Sequence, residues 1–198
     1  MSICQSKIRL FKYSQVVENT IMRKLKLEEL NRVSIAEFKK QDKVPLIIVL
    51  ENIRSLNNIG TIFRTCDAFS VNSVHLIGIT AKPPHREIQK TALGATESVE
   101  WKYFETSNQA IKSLKSRGYK IFSIEQVEGS IPINEVSEIP CDKMALFLGN
   151  EITGVDQATI DASDFCLEIP QYGTKHSLNV SVCAGIVIWE CFNKLKKV

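Results

Sequence analysis

Several features are missing from this 198-residue chain, and each absence removes a class of protein. No apolar run approaches the roughly 18 residues of a membrane span. From Met1 to Leu10 polar and apolar side chains alternate, with neither an uninterrupted hydrophobic stretch nor a cleavage-like site, so no secretory leader is expected and a cytoplasmic protein is. The six cysteines (Cys4, Cys66, Cys141, Cys166, Cys183, Cys191) are never closer than eight residues, which excludes CxxC knuckles and redox pairs. Reduced thiols among apolar neighbours are expected instead. The three histidines (His75, His85, His176) form no HExxH or similar set, so no metal is expected. Gly-x-Gly-x-x-Gly is absent. Gly149 and Gly154 are spaced as in a phosphate loop but lack the Lys-Ser/Thr that would hold phosphates and magnesium.

What is present describes a soluble globular chain, with 44% apolar and 24% charged residues at a length of about one domain. The net charge of +3 conceals an asymmetry: residues 1–45 hold ten Lys/Arg against five Asp/Glu, or +5, which leaves −2 on residues 46–198. A basic segment on a near-neutral body suits contact with nucleic-acid phosphates; a solvated helix face explains it equally well. Residues 15–41 contain no Pro or Gly. Val17, Ile21 and Leu25 at spacing four and Leu27 and Leu30 at spacing three predict one or two amphipathic helices, closed by Pro45. We therefore expect a helical extension over 1–45 and a main domain over 46–198.

Beyond Pro45, short Val/Ile/Leu runs predict strands at 46–50, 73–77, 120–124, 144–148 and 165–169, and helical patterns fall at 59–69, 86–93, 107–117, 156–162 and 178–196. Uninterrupted apolar strands alternating with helices indicate an α/β fold, a mostly parallel sheet covered by helices on both faces. Ligands of such sheets bind beyond the carboxyl ends of the strands, so the loops after Leu50, Leu148 and Ile169 are where chemistry is sought.

Those three loops carry polar residues. In the first, Glu51 to Asp67, Asn58 is placed to cap the helix that follows, Gly60 permits close approach of another backbone, and Ile59, Phe63 and Cys66 form the buried stripe. Arg64 stands beside that stripe, and an Arg64–Asp67 surface pair is the plain explanation for it. The second is Gly149-Asn-Glu151-Ile-Thr-Gly154, with Glu151 in the mouth of the sheet. The third runs Ile169-Pro-Gln-Tyr-Gly-Thr-Lys-His-Ser177-Leu178-Asn179-Val-Ser181. There Ser177 has N-cap chemistry for a last helix with Leu178, Val182, Ile186 and Trp189 on one face, and Asn179 is a poor helix former that capping does not explain.

Taken together, Asn58-Ile-Gly-Thr-Ile-Phe-Arg64 and the second and third loops resemble motifs one, two and three of the SpoU-type (TrmH-like) RNA ribose methyltransferases of the SPOUT superfamily, in the right order across residues 46–196. The resemblance implies a C-terminal trefoil knot, a homodimer and S-adenosylmethionine as cofactor, contacted by Gly149, Ile169 and Leu178. It implies a polar catalytic set of Asn58, Arg64, Glu151, Ser177 and Asn179 acting on a ribose 2′-hydroxyl of structured RNA. The third motif is closest to the tRNA D-loop guanosine enzymes; ribosomal RNA is the alternative. A non-catalytic RNA-binding protein of the same fold and a different nucleotide-dependent α/β enzyme are the rivals. Ser70 departs from the family's usual glycine, which implies a strained turn.

Overall fold

The computed structural model describes residues 22–196, and the chain divides into two compact units between Ser34 and Ile35. In the first, a 3-10 turn at Leu27–Leu30 ends at Asn31, whose φ of 47° turns the chain left-handed. Glu29 accepts hydrogen bonds from the Lys26 amide at 2.7 Å and from the Arg23 guanidinium at 2.6 and 3.0 Å. Val17 and Ile21 of the expected helices lie outside the described residues, whereas Leu25 and Leu30 are exposed rather than on a buried stripe. Among the described residues of that stretch the α-helix is α1, Ile35–Lys40, which opens the second unit and buries only Phe38. No described helix is long and apolar enough to cross a membrane.

In the second unit, β1 (Val44–Glu51) includes Pro45. The ladder shifts register between Val44 and Ile47, where a missing N–H is tolerated. There follow α2 (Leu56–Ala68), β2 (Val71–Ile77), α3 (Arg86–Ala92), α4 (Ala95–Ser98), β3 (Glu100–Phe104), α5 (Ser107–Ser116), β4 (Lys120–Ile124), β5 (Ile131–Pro132), β6 (Met144–Leu148), α6 (Gln157–Ala162), β7 (Phe165–Glu168) and α7 (Val180–Lys196). The strands form one sheet in the order β3-β2-β1-β6-β4-β7-β5. Every pairing is parallel.

Alternation along β1 shows how both faces are covered. Leu46, Ile48 and Leu50 join the core beneath α2, α3 and α7, while Ile47 and Val49 pack with Ala110, Ile111 and Leu114 of α5 on the other face. The two strands that periodicity missed are the edges. β3, Glu-Trp-Lys-Tyr-Phe, is largely exposed and charged, and β5 is two residues long and contains a proline, both means of keeping an edge unpaired.

Two helix starts differ from expectation. Helix α2 begins at Leu56 with Ser55 as its cap, the Ser55 hydroxyl accepting from the Asn58 amide at 3.3 Å, so Asn58 is a residue of the first turn and not the cap. Helix α7 begins at Val180, and its cap is Asn179, not Ser177: Asn179 Oδ1 accepts from the Ser181 amide at 2.9 Å, and its carbonyl accepts from Cys183. The buried side of α7 is Val180, Ala184, Val187, Ile188 and Cys191. The expected stripe lies outward, with Val182 52% and Trp189 48% exposed. The helix is apolar on both sides, and spacing alone does not say which one faces the core.

Candidate active site

The sheet order reverses at β1, whose neighbours are β2 on one side and β6 on the other. From β1 the chain moves outward to β2 and β3, and it returns through β4 and β5 before inserting β6. The loops leaving β1 and β6 therefore part in opposite directions at the carboxyl edge, the place where open α/β sheets bind ligands.

Four side chains lock this junction. Glu51, fully buried at the end of β1, accepts from the Asp156 amide at 2.9 Å, from Thr159 Oγ1 at 2.5 Å and from the Ser107 hydroxyl, tying the exit of the second loop, α6 and the start of α5 to one carboxylate. Asn52 adopts φ 57°; its carbonyl accepts from Asn150 Nδ2 at 2.7 Å and its Oδ1 from the Ile79 amide at 3.3 Å. Asn150 Oδ1 in turn accepts from the amides of Ile152 and Thr153. Gly149 is obligatory here, because a Cβ would overlap the backbone of Gly154 and Val155 where the loop closes on itself.

Glu151 then projects to the start of α2. Its Oε2 accepts from the Arg54 amide at 3.0 Å, and its Oε1 accepts from the Ser55 amide at 3.0 Å and from Asn58 Nδ2 at 3.3 Å. Burial alone would raise its carboxyl, but these donors, with its own amide, outweigh burial and hold it below the usual carboxylate range. Asn58 Oδ1 accepts from Asn179 Nδ2 at 3.2 Å. A continuous polar chain, Glu151–Asn58–Asn179, thus joins all three motif loops.

The structure brings together three of the five residues named for catalysis. Arg64, two turns along α2, is exposed, and no described residue bonds to it. The Arg64–Asp67 pair does not form, since Asp67 Oδ1 accepts from Ser98 Oγ at 2.5 Å. Ser177 is exposed and likewise unbonded. Of the residues named for the cofactor, Gly149 closes the second loop, Ile169 packs against the core, and Leu178 is 38% exposed. Gly60 is pressed against Ile88 and Thr91 of α3, the close approach expected of it.

The loops after β4, β6 and β7 are joined as well: Glu125 Oε2 accepts from the Val155 amide at 3.0 Å, and Gln126 Nε2 donates to the His176 carbonyl at 3.0 Å. Backbone amides from Gln171 to Leu178 find no acceptor among the described residues. A cavity of about 500 Å³ opens elsewhere, between Val127–Ile131 and Gln157–Cys166, and no motif residue lines it. No described cysteine competes as a nucleophile, because burial pushes the thiols up, Cys183 to about 11 and Cys191 to about 12. No cluster of three or more metal-ligating side chains occurs among the described residues. The residues overlooked from sequence are Glu51, Asn52 and Asn150. Their signal was a Glu-Asn pair at the end of one buried strand and an Asn one residue beyond the Gly that follows another, where a carboxylate or amide must find partners.

Residues 45–189 match the model of the SpoU rRNA methylase family. The chain belongs to that family. Among similar proteins, the methylase is 31% identical over 152 residues to the tRNA (guanosine(18)-2′-O)-methyltransferase of Borreliella burgdorferi, covering 77% of this chain and 68% of that one. It superposes on the crystal structure of the A. aeolicus TrmH/SpoU tRNA modifying enzyme with a TM-score of 0.72 at 26% identity, covering 82% and 81% of the two chains. With the AdoMet-bound rRNA methyltransferase of Sinorhizobium meliloti the TM-score is 0.71 at 23% identity, covering 80% and 60%.

Proposed function

We propose that this methylase transfers a methyl group from S-adenosylmethionine to a ribose 2′-hydroxyl of structured RNA, with a D-loop guanosine of tRNA as its substrate. The observation that carries the reading is the Glu151–Asn58–Asn179 chain, which holds three distant motifs at one end of the sheet. The named activity of the Borreliella relative supports the substrate, and the bound ligand of the Sinorhizobium structure supports the cofactor.

The cofactor supplies an electrophilic methyl on a sulfonium. The donor set for it is at hand: the unbonded amides of Gln171–Leu178, with Ile169 and Leu178 as apolar neighbours and the loops after β4 and β6 tied alongside. A ribose hydroxyl attacks only as it loses its proton, so the protein must orient it and stabilise alkoxide character. Glu151 is not that base: both its oxygens are engaged, by three donors, and its carboxyl is held low. It is a positioning residue that fixes Asn58. Each amide of the Asn58–Asn179 pair keeps one N–H for the ribose. Arg64, always a cation and unengaged, stabilises the alkoxide or docks the adjacent phosphate.

The same reading includes a C-terminal trefoil knot, action in the cytosol, and a homodimer in which a second copy covers the outward face of α7. Val182→Glu is expected to shift the sedimentation equilibrium to monomer; an unchanged mass would reject this interface. The function itself is tested by incubating the protein with labelled S-adenosylmethionine and bulk tRNA or rRNA and mapping the 2′-O-methylated nucleotide. Label confined to rRNA would replace the substrate, and no incorporation into either would reject the activity.

A further inference from the structure

We propose that Lys82 and Tyr103, at the carboxyl end of edge strand β3, form a nucleotide subsite in which a base flanking the methylated ribose stacks on Tyr103 and its phosphate meets Lys82. This rests on the RNA methylation reading above and adds where the substrate continues.

The Tyr103 ring is 36% exposed and held in place by its hydroxyl, which donates to the Gly78 carbonyl at 3.0 Å. An aromatic ring immobilised at a surface loses little freedom when a base stacks on it. The Lys82 ammonium lies 4.2 Å from the ring centroid and has no carboxylate partner among the described residues. Beside them Ile79 is 67% exposed. Arg54 and Lys82, on the loops leaving β1 and β2, and Arg86, at the start of α3, are exposed cations, and none is in an ion pair among the described residues.

The subsite is rigidly connected to the polar chain. Asn52 Oδ1 accepts from the Ile79 amide and fills the space where a Gly78 Cβ would stand, while the Asn52 carbonyl accepts from Asn150, the neighbour of Glu151. In the sheet order, β2 and β3 lie on one side of β1, and β6, β4 and β7 lie on the other. The donor loops occupy the second side. RNA extending from a ribose at Asn58 and Asn179 then has the first side to run over. There it meets a fixed ring and, over that ring, a cation with no carboxylate partner among the described residues, a pairing suited to an unstacked nucleotide of any sequence.

The test compares binding of a short labelled single-stranded RNA with a charge-matched oligomer in which the central bases are replaced by abasic ribose. Wild-type protein is expected to prefer the base-bearing oligomer. Tyr103→Leu is expected to lose that preference, weakening the base-bearing oligomer about 5- to 150-fold and leaving the abasic one unchanged, while Tyr103→Phe keeps it. Lys82→Gln is expected to weaken both oligomers alike and reduce the salt slope by about one. A wild-type preference that survives in Tyr103→Leu, or no preference in the wild type, overturns the subsite. Methyl transfer measured on the same preparations separates the two claims: stacking preference without transfer rejects the methylation reading alone, and transfer without preference rejects the subsite alone.

Discussion

The junction after β1 and β6 and the loop after β7 are both polar and both belong to the same end of the sheet, yet they are built in opposite ways. At the junction Asn150 and Glu151 each satisfy several backbone groups and Glu51 and Asn52 one apiece, and the loops are fixed before any ligand arrives. From Gln171 to Leu178 the backbone amides find no acceptor among the described residues and Tyr172 is 97% exposed. One region is preorganised scaffold, and the other holds its hydrogen-bonding capacity in reserve. A methyl transferase needs both, since the attacking hydroxyl must be aimed and the donor must enter and leave.

The difference is tested hardest at Arg64, an unengaged side chain mounted on the preorganised side. Arg64→Ala is expected to lower the rate of methyl transfer by about 10²- to 10³-fold, as loss of one charge-stabilising group does, with S-adenosylhomocysteine affinity unchanged by calorimetry. Equal loss of affinity would move Arg64 to the cofactor side.

Among the described residues, His75 in β2 stands out as a buried group left partly unsatisfied. It is fully buried, its Nε2 is 3.4 Å from Ser73 Oγ, and its Nδ1 has no partner among the described residues. Burial, then the charges of Arg117 and Lys102, push it down to about 4. Below pH 6.5 the unfolded chain takes up a proton that the folded chain refuses until about 4, so stability falls as pH drops across that window and is unaffected above it. The loss is on the order of 3 kcal/mol. Urea denaturation of wild type and His75→Gln at pH 7 and pH 4.5 measures it: the variant is expected to lose less, and parallel losses would show that other groups dominate.

Glu51→Gln probes the junction itself. The amide keeps an acceptor but presents N–H groups to at least one of Thr159, Ser107 and the Asp156 amide, and destabilisation of about 1–3 kcal/mol by urea melts is expected. An unchanged midpoint would mean the junction is not held by this carboxylate.

How much of this the sequence revealed depends on where each residue stands. The central strands were legible because burial on both faces makes them continuous apolar runs, and the edges were not, because exposure makes β3 look like a charged loop. The motif resemblance located Asn58, Glu151 and Asn179, and the departure at Ser70 did mark strain, for its φ is 50°. Capping was misassigned at both helices. Asn58 and Ser177 are suitable cap types, but Ser55 and Asn179 stand where the chain turns into the helix, a choice made by tertiary contacts with Glu151 and Asn58. The outward stripe of α7 was legible as a stripe and not as a direction.

The smallest effect separates the two regions most cleanly. Tyr172→Ala removes a side chain that is 97% exposed and makes no polar or ring contact among the described residues, so the melting free energy is expected to stay within about 0.5 kcal/mol of wild type. In the same protein, amide hydrogen exchange from Gln171 to Leu178 is expected to be fast without ligand and to slow when S-adenosylhomocysteine is added, because those amides then gain acceptors. The Arg54 and Ser55 amides, already bonded to Glu151, are expected to be slow in both states. If ligand protected the junction and left the loop unchanged, the division between scaffold and reserve would be reversed, and the cofactor would belong on the side of β1.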